Sequence, residues 1–118
     1  MKTILVVDDE VGSAEVLSLI LEEEGYRAFG AVNGRDGLEK AREVLPDLAI
    51  VDYMMPLMDG SEFVRQLREE PSLAHTLVVI NSGLPESAIR ERFDAYDGFL
   101  RKPYNVNVLL ELVARLLR

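Results

Sequence analysis

Short apolar runs that stop at polar or charged residues alternate along this chain with stretches whose apolar positions recur every three or four residues. TILVV (3–7), LAIV (48–51) and LVVI (77–80) are the strongest runs, rich in β-branched residues and free of charge. Runs of this kind predict strands buried on both faces, which belong at the centre of a sheet. RAFGAV (27–32) and GFL (98–100) read as a weaker and a shorter strand. Helical periods lie between them. Val11, Ala14, Leu17, Ile20 and Leu21 predict a first helix, with Glu22 to Glu24 exposed and Gly25 as its stop. Asn33-Gly34 reads as a turn, followed by a second helix from Arg35 to Leu45 through Leu38, Ala41 and Leu45, ended by Pro46. Asp59 and Glu62 have capping-box spacing and open a third helix through Phe63, Val64 and Leu67. Pro85 suits the first turn of a fourth helix. Asn105 to Arg118 predicts the last, with Val106, Leu109, Leu110, Val113, Leu116 and Leu117 as its core stripe. Val108 and Leu112 fall off that stripe, one turn apart, as candidates for a partner-facing pair.

Five strands alternating with five helices imply an α/β fold, a doubly wound parallel sheet covered by helices on both faces. In such sheets ligand chemistry gathers at the carboxyl ends of the strands. Asp8 and Asp9 follow the first strand, Asp52 the third and Asn81 and Ser82 the fourth, while Lys102 follows the fifth. All are expected in one crevice.

Composition narrows the surroundings. At 118 residues, with 48% apolar and 29% charged residues, the chain reads as one domain over 1–118. It has no cysteine, which removes disulfides, thiolate metal sites and cysteine nucleophiles, and suits a cytoplasmic location. The opening ILVV is cut off by Asp8 and Asp9, too early for a signal peptide or a membrane span. A formal charge of -8 argues against direct binding to nucleic acid or an anionic membrane. That charge is uneven: residues 1–85 hold 16 acids and 7 bases, residues 86–118 hold 5 acids and 6 bases. The two ends of the chain are expected to serve different jobs.

Carboxylates converging in one crevice repel one another. A pair about 4 Å apart costs on the order of 4 kcal/mol at an effective dielectric of about 20. A cation is therefore expected, and oxygen-only ligands favour a hard ion such as Mg2+. Lys102 adds a second positive charge. An acidic nest with one lysine and one hydroxyl suits phosphoryl transfer, in which cations neutralise phosphoryl oxygens while a carboxylate attacks phosphorus. The single histidine, His75, has no metal-ligand partner at useful spacing and is assigned no role.

At these residues the chain resembles the receiver domains of two-component response regulators. The resemblance runs from the Asp8-Asp9 pair through D-x-x-x-P-x-x-D-G at 52–60 to Ser82 and the Lys102-Pro103 pair. It implies a flavodoxin-like sheet in the order 2-1-3-4-5. Asp52 would be the phosphoacceptor, taking a phosphoryl group from a histidine kinase, a phosphotransfer protein or a small acyl phosphate. Asp9, Asp52 and the backbone carbonyl of Met54 would hold Mg2+, with Asp8 acting mainly through water. Lys102 would contact the phosphoryl oxygens across a cis bond to Pro103. Ser82 would move to the phosphoryl group and Phe99 would turn inward behind it, switching a face made of the fourth helix, fifth strand and fifth helix. That face would control a downstream protein or a fused output domain, and it leaves room for a dimer.

The chain departs from the family pattern at Met54 and Leu84, two residues after Asp52 and Ser82, where many relatives carry polar groups that influence attack of water. A long-lived phosphorylated form is the expectation. Phe99 lacks a tyrosine hydroxyl, and Ala95, Tyr96 and Asp97 make a bulkier approach to Gly98 than the family's small-residue loop. Other classes fit less well. A flavin carrier needs a hydroxyl-rich or glycine-rich phosphate loop where Asp8-Asp9-Glu10 stands, and an aspartate-nucleophile phosphohydrolase needs a second acid where Met54 stands. The nearest rival is a pseudo-receiver that docks partners without phosphorylation. Turnover catalysis is not assigned.

Overall fold

The computed structural model describes every residue of the chain except Val11, so the place given to Val11 on the first helix lies outside the described residues. The elements alternate as β1 (Thr3–Val7), α1 (Ser13–Glu23), β2 (Arg27–Ala31), α2 (Gly34–Val44), β3 (Leu48–Asp52), α3 (Gly60–Glu69), β4 (Leu77–Ser82), α4 (Glu86–Arg90), β5 (Gly98–Arg101) and α5 (Val106–Leu116). Every strand pair is parallel, and the sheet order is β2-β1-β3-β4-β5. The fold is the expected doubly wound one. Residues of β1 and β3 are buried throughout, as strands apolar on both faces require. No helix among the described residues is long and apolar enough to cross a membrane.

Strand alternation divides the interior into two layers. Ile4, Val6, Leu48, Ile50, Val79 and Leu100 pack with Ala14, Leu17 and Leu21 of α1 and Leu109, Leu112 and Val113 of α5. Leu5, Val7, Ala49, Val51, Val78 and Ile80 face the other way, onto α2, α3 and Ile89 of α4. The same alternation carried past the strand ends sets Asp8, Asp52, Asn81 and Lys102 in step with the α1/α5 layer. Ser82 and Phe99 are in step with the other. The charged groups and the two switch candidates therefore start on opposite faces of one sheet.

Four sequence expectations change. Asn33 and Gly34 are not a free turn but the opening of α2, with the Asn33 side chain accepting a hydrogen bond from the Asp36 N–H at 2.7 Å. Leu45 is not on the α2 core stripe. It is the residue before Pro46, a position that disfavours helix, and it turns to φ 50 with its side chain in solvent. Pro85 caps α4 from outside rather than sitting in its first turn. On α5, Leu112 is buried and Val106 is exposed, the reverse of the periodic reading. The reason lies across the chain. Gly98 has no side chain, and the two Leu112 methyl carbons lie 3.2 and 3.3 Å from where its Cβ would stand, so β5 admits Leu112. Leu110, Leu116 and Leu117 are half-buried, and Val108 is exposed as expected.

Candidate functional site

The carboxyl ends of β1, β3, β4 and β5 bring the predicted residues together. Asp8 continues the pairing of β1, its N–H donating to the Ala31 carbonyl at 3.0 Å. Its Oδ1 accepts from the Glu10 N–H at 2.9 Å, which folds the chain back after the strand. Asp52 closes β3. Carboxylate oxygens of Asp8, Asp9 and Asp52 all lie within 4.8 Å of one another. Lys102 reaches in from beyond β5, with Nζ 3.3 Å from Asp52 Oδ2. The Lys102-Pro103 bond is cis.

Gly60 explains part of the geometry around Asp52. A Cβ there would stand 2.9 Å from Tyr53 Cα and 3.1 Å from the Asp52 carbonyl oxygen. The start of α3 therefore presses directly on the end of β3, and the Gly60 N–H donates to the Tyr53 carbonyl at 2.8 Å. Asp59 caps the helix by accepting from the Glu62 N–H at 3.0 Å and from Ser61 Oγ at 2.6 Å. Burial opposes the Asp59 charge, but the hydrogen bonds from Ser61 and Glu62 outweigh it and lower the carboxyl below its usual range. Between strand and helix, Met54 and Leu57 stand in solvent, Leu57 at φ 69 in the left-handed region.

The charges are unequally served. Asp52 is only 6% exposed, and its carboxyl is pushed up to about 6, chiefly by burial, which Lys102 opposes and Asp8 and Asp9 reinforce. Burial also works against the Lys102 ammonium, yet Asp52 and Asp8 outweigh it and raise the group above its usual range. The lysine gains from this cluster while the aspartate is left short of positive charge. Donor chemistry fits a hard divalent cation: three carboxylates, oxygen only, with no sulfur or imidazole.

Ser82 and Phe99 are in step with the opposite face of the sheet from Asp52 and Lys102. Ser82 is fully buried, and its hydroxyl accepts from the Leu84 N–H at 2.9 Å. Phe99 is half-buried against the α2/α3/α4 layer, 6.0 Å from the Tyr96 ring. Tyr96 in turn lies 5.7 Å from Phe93, and its hydroxyl donates to Glu86 at 2.7 Å. Arg90 pairs with the same carboxylate. This tie between the α4 start and the segment before β5 has no mark in the sequence beyond the Glu86–Arg90 spacing. Asn81 beside Asp52 and Tyr104 beyond Lys102 are two further residues whose contact the sequence does not announce. Their hydrogen bond, Asn81 Nδ2 to Tyr104 Oη, spans 3.4 Å.

Comparison with known proteins places this arrangement. The sequence profile of the response regulator receiver domain matches residues 4–114. Response regulator GtcR of Aneurinibacillus migulanus is 36% identical over 115 residues, covering 98% of this chain and 46% of that protein. Response regulator ArlR of Staphylococcus aureus is 32% identical over 118 residues, covering 100% of this chain and 53% of that protein. The chain thus spans about half the length of these curated relatives. Chemotaxis protein CheY4 of Vibrio cholerae superposes with a TM-score of 0.87 at 32% identity, covering 98% of each chain. Response regulator TrrA of Thermotoga maritima, solved in complex with Mg2+ and BeF, superposes at 0.85 with 34% identity, covering 98% of this chain and 99% of that one. With the profile spanning nearly the whole chain and full-length superposition on solved members, the chain belongs to the response regulator receiver domain family.

Proposed function

We propose that residues 1–118 act as a phosphorelay receiver in which Asp52 accepts a phosphoryl group. The observation that carries this is the buried Asp52 carboxylate, sharing a 4.8 Å cluster with two further carboxylates and held 3.3 Å from the Lys102 ammonium. An Asp52 oxygen attacks phosphorus and forms an acyl phosphate. The bond that breaks joins phosphorus to an imidazole nitrogen of a kinase or phosphotransfer histidine, or to the oxygen of a small acyl phosphate. The leaving imidazole or carboxylate departs with the bonding electrons.

Asp9, Asp52, the Met54 carbonyl and, through water, Asp8 would hold Mg2+, which when bound supplies charge neutralisation for the phosphoryl oxygens. TrrA, solved with Mg2+ and BeF, supports this fit. Lys102 follows the charge as it moves from the carboxylate to phosphorus. The Ser82 hydroxyl leaves the Leu84 N–H for a phosphoryl oxygen, and Phe99 moves toward the space it vacates. The surface of α4, β5 and α5 then changes for a downstream protein or an output domain on the same polypeptide.

Intact mass after incubation with acetyl phosphate and Mg2+ tests the reading. The parent gains one phosphoryl group and Asp52→Asn gains none. A parent that stays unmodified with every donor, histidine kinase included, leaves the docking-only pseudo-receiver as the function. Met54 and Leu84 are exposed and apolar, and neither can orient a water. The phosphorylated form is accordingly long-lived, and Met54→Asn with Leu84→Glu shortens its half-life. Unchanged decay in that double variant removes the lifetime proposal.

A further inference from the structure

Asn81 has no part in the chemistry above, yet it occupies a demanding position. It is paired with Asp52 in the β3–β4 register, and it is 4% exposed. It continues a sheet face that otherwise carries Ile50, Val79 and Leu100. Its Nδ2 makes only the long 3.4 Å bond to Tyr104, and its Oδ1 has no partner among the described residues. A half-used amide in a buried site costs stability that an aliphatic side chain would not. Packing alone does not account for it.

Tyr104 supplies the other half of the argument. Its ring packs against the α1/α5 layer, and it stands two residues after Lys102. Three ties hold this turn to the end of β4. The Lys102 N–H donates to the Ser82 carbonyl at 2.7 Å, Arg101 Nε donates to the Gly83 carbonyl at 3.0 Å, and Asn81 donates to Tyr104. The first two end on the segment that carries the Ser82 hydroxyl into α4. Asn81 instead sits one residue deeper, in register with Asp52.

We propose that Asn81 and Tyr104 are positioning residues for Lys102, tying the β5–α5 turn to the strand beside Asp52 so that the ammonium keeps its place while the Ser82 segment rearranges. This rests on the phosphoacceptor reading of Asp52. Lys102 has a long stem with one third of its side chain exposed, so its aim depends on the backbone it leaves. A loosened turn leaves the fold and the carboxylates intact but spoils the contact with the transferred group.

The test compares the parent, Tyr104→Phe, Asn81→Leu and the double variant. Phosphorylation by acetyl phosphate, beryllofluoride affinity in Mg2+, affinity for Mg2+ alone and melting temperature are measured for each. Tyr104→Phe is expected to slow phosphorylation and weaken beryllofluoride on the order of tenfold, with affinity for Mg2+ alone within about twofold. Replacing both polar groups is expected to restore the melting temperature, because neither partner is then left unpaired, while the rate stays low. A double variant that regains stability and rate together overturns the proposal, as does a Tyr104→Phe protein indistinguishable from the parent. Should Asn81→Leu fail to fold, Tyr104→Phe decides alone through its beryllofluoride and Mg2+ affinities. A parent that takes up no phosphoryl group overturns the underlying reading instead, and the inference with it.

Discussion

β3 and β4 both end on a candidate site residue, yet the connections that follow them are built to opposite standards. After Asp52 the chain reaches α3, ten residues capped by Asp59, with Gly60, Phe63, Val64 and Leu67 buried. After Ser82 it reaches α4, five residues with no side-chain cap among the described residues and Ile89 alone buried. What α4 lacks in packing it replaces with exposed polar ties, Glu86 to Arg90 and to Tyr96. Burial of several apolar side chains holds a helix far more firmly than surface ion pairs do. The difference teaches a division of labour: a firmly packed helix follows the strand that ends in Asp52, and a lightly held one follows the strand that ends in Ser82, which suits the proposed roles of acceptor and switch.

The strongest way to break this comparison is to cut each helix from its core. Phe63→Ala is expected to destabilise the chain by roughly 3–5 kcal/mol, and Ile89→Ala by about 2, since the surroundings of a short helix collapse more readily. Chemical denaturation measures both. An equal or larger loss at Ile89 would show α4 to be as structural as α3.

A second prediction concerns the buried charge at the end of β3, where α3 begins. The Asp52 carboxyl sits at about 6 in the folded chain against 3.8 for an ordinary aspartate. The folded state therefore binds this proton more tightly than the unfolded one, which stabilises the fold below about pH 4 and is lost as pH rises through about 6. Without Mg2+, Asp52→Asn is expected to exceed the parent in stability at pH 7.5 by roughly 1–3 kcal/mol, with the gap closing toward pH 4. Mg2+ bound as proposed is expected to narrow the gap at pH 7.5 by stabilising the parent more than the variant. Melting curves at the two pH values check this, and a gap that does not depend on pH would remove burial as the cause.

The smallest effect sharpens the comparison most. Tyr96→Phe removes two surface hydrogen bonds, one donated to Glu86 and a long one accepted from Arg90, and should change global stability by only about 0.5 kcal/mol. Amide exchange in α4 should nonetheless quicken while that in α3 stays as it was. Equal protection of the two helices in the parent would contradict the division of labour.

Much of this was legible beforehand. TILVV, LAIV and LVVI became β1, β3 and β4 because a run of β-branched residues leaves the chain little alternative. Asp59 capped α3 as its spacing to Glu62 predicts, since capping needs only neighbours in the chain. The reading failed where distant residues decided. Leu112 is buried because Gly98, fourteen positions away, has no side chain to exclude it. The Asn81–Tyr104 contact depends on β5 pairing beside β4, and the Glu86–Tyr96 tie on α4 lying against the segment before β5.

The sequence by itself determined where the strands run and which carboxylates end them, because backbone preference and apolar periodicity act over a few residues. Only the tertiary structure decided how closely Asp8, Asp9, Asp52 and Lys102 approach one another and that the buried Asp52 is left short of positive charge. Coulomb forces and desolvation depend on separations in space, and those follow from the order in which the strands assemble.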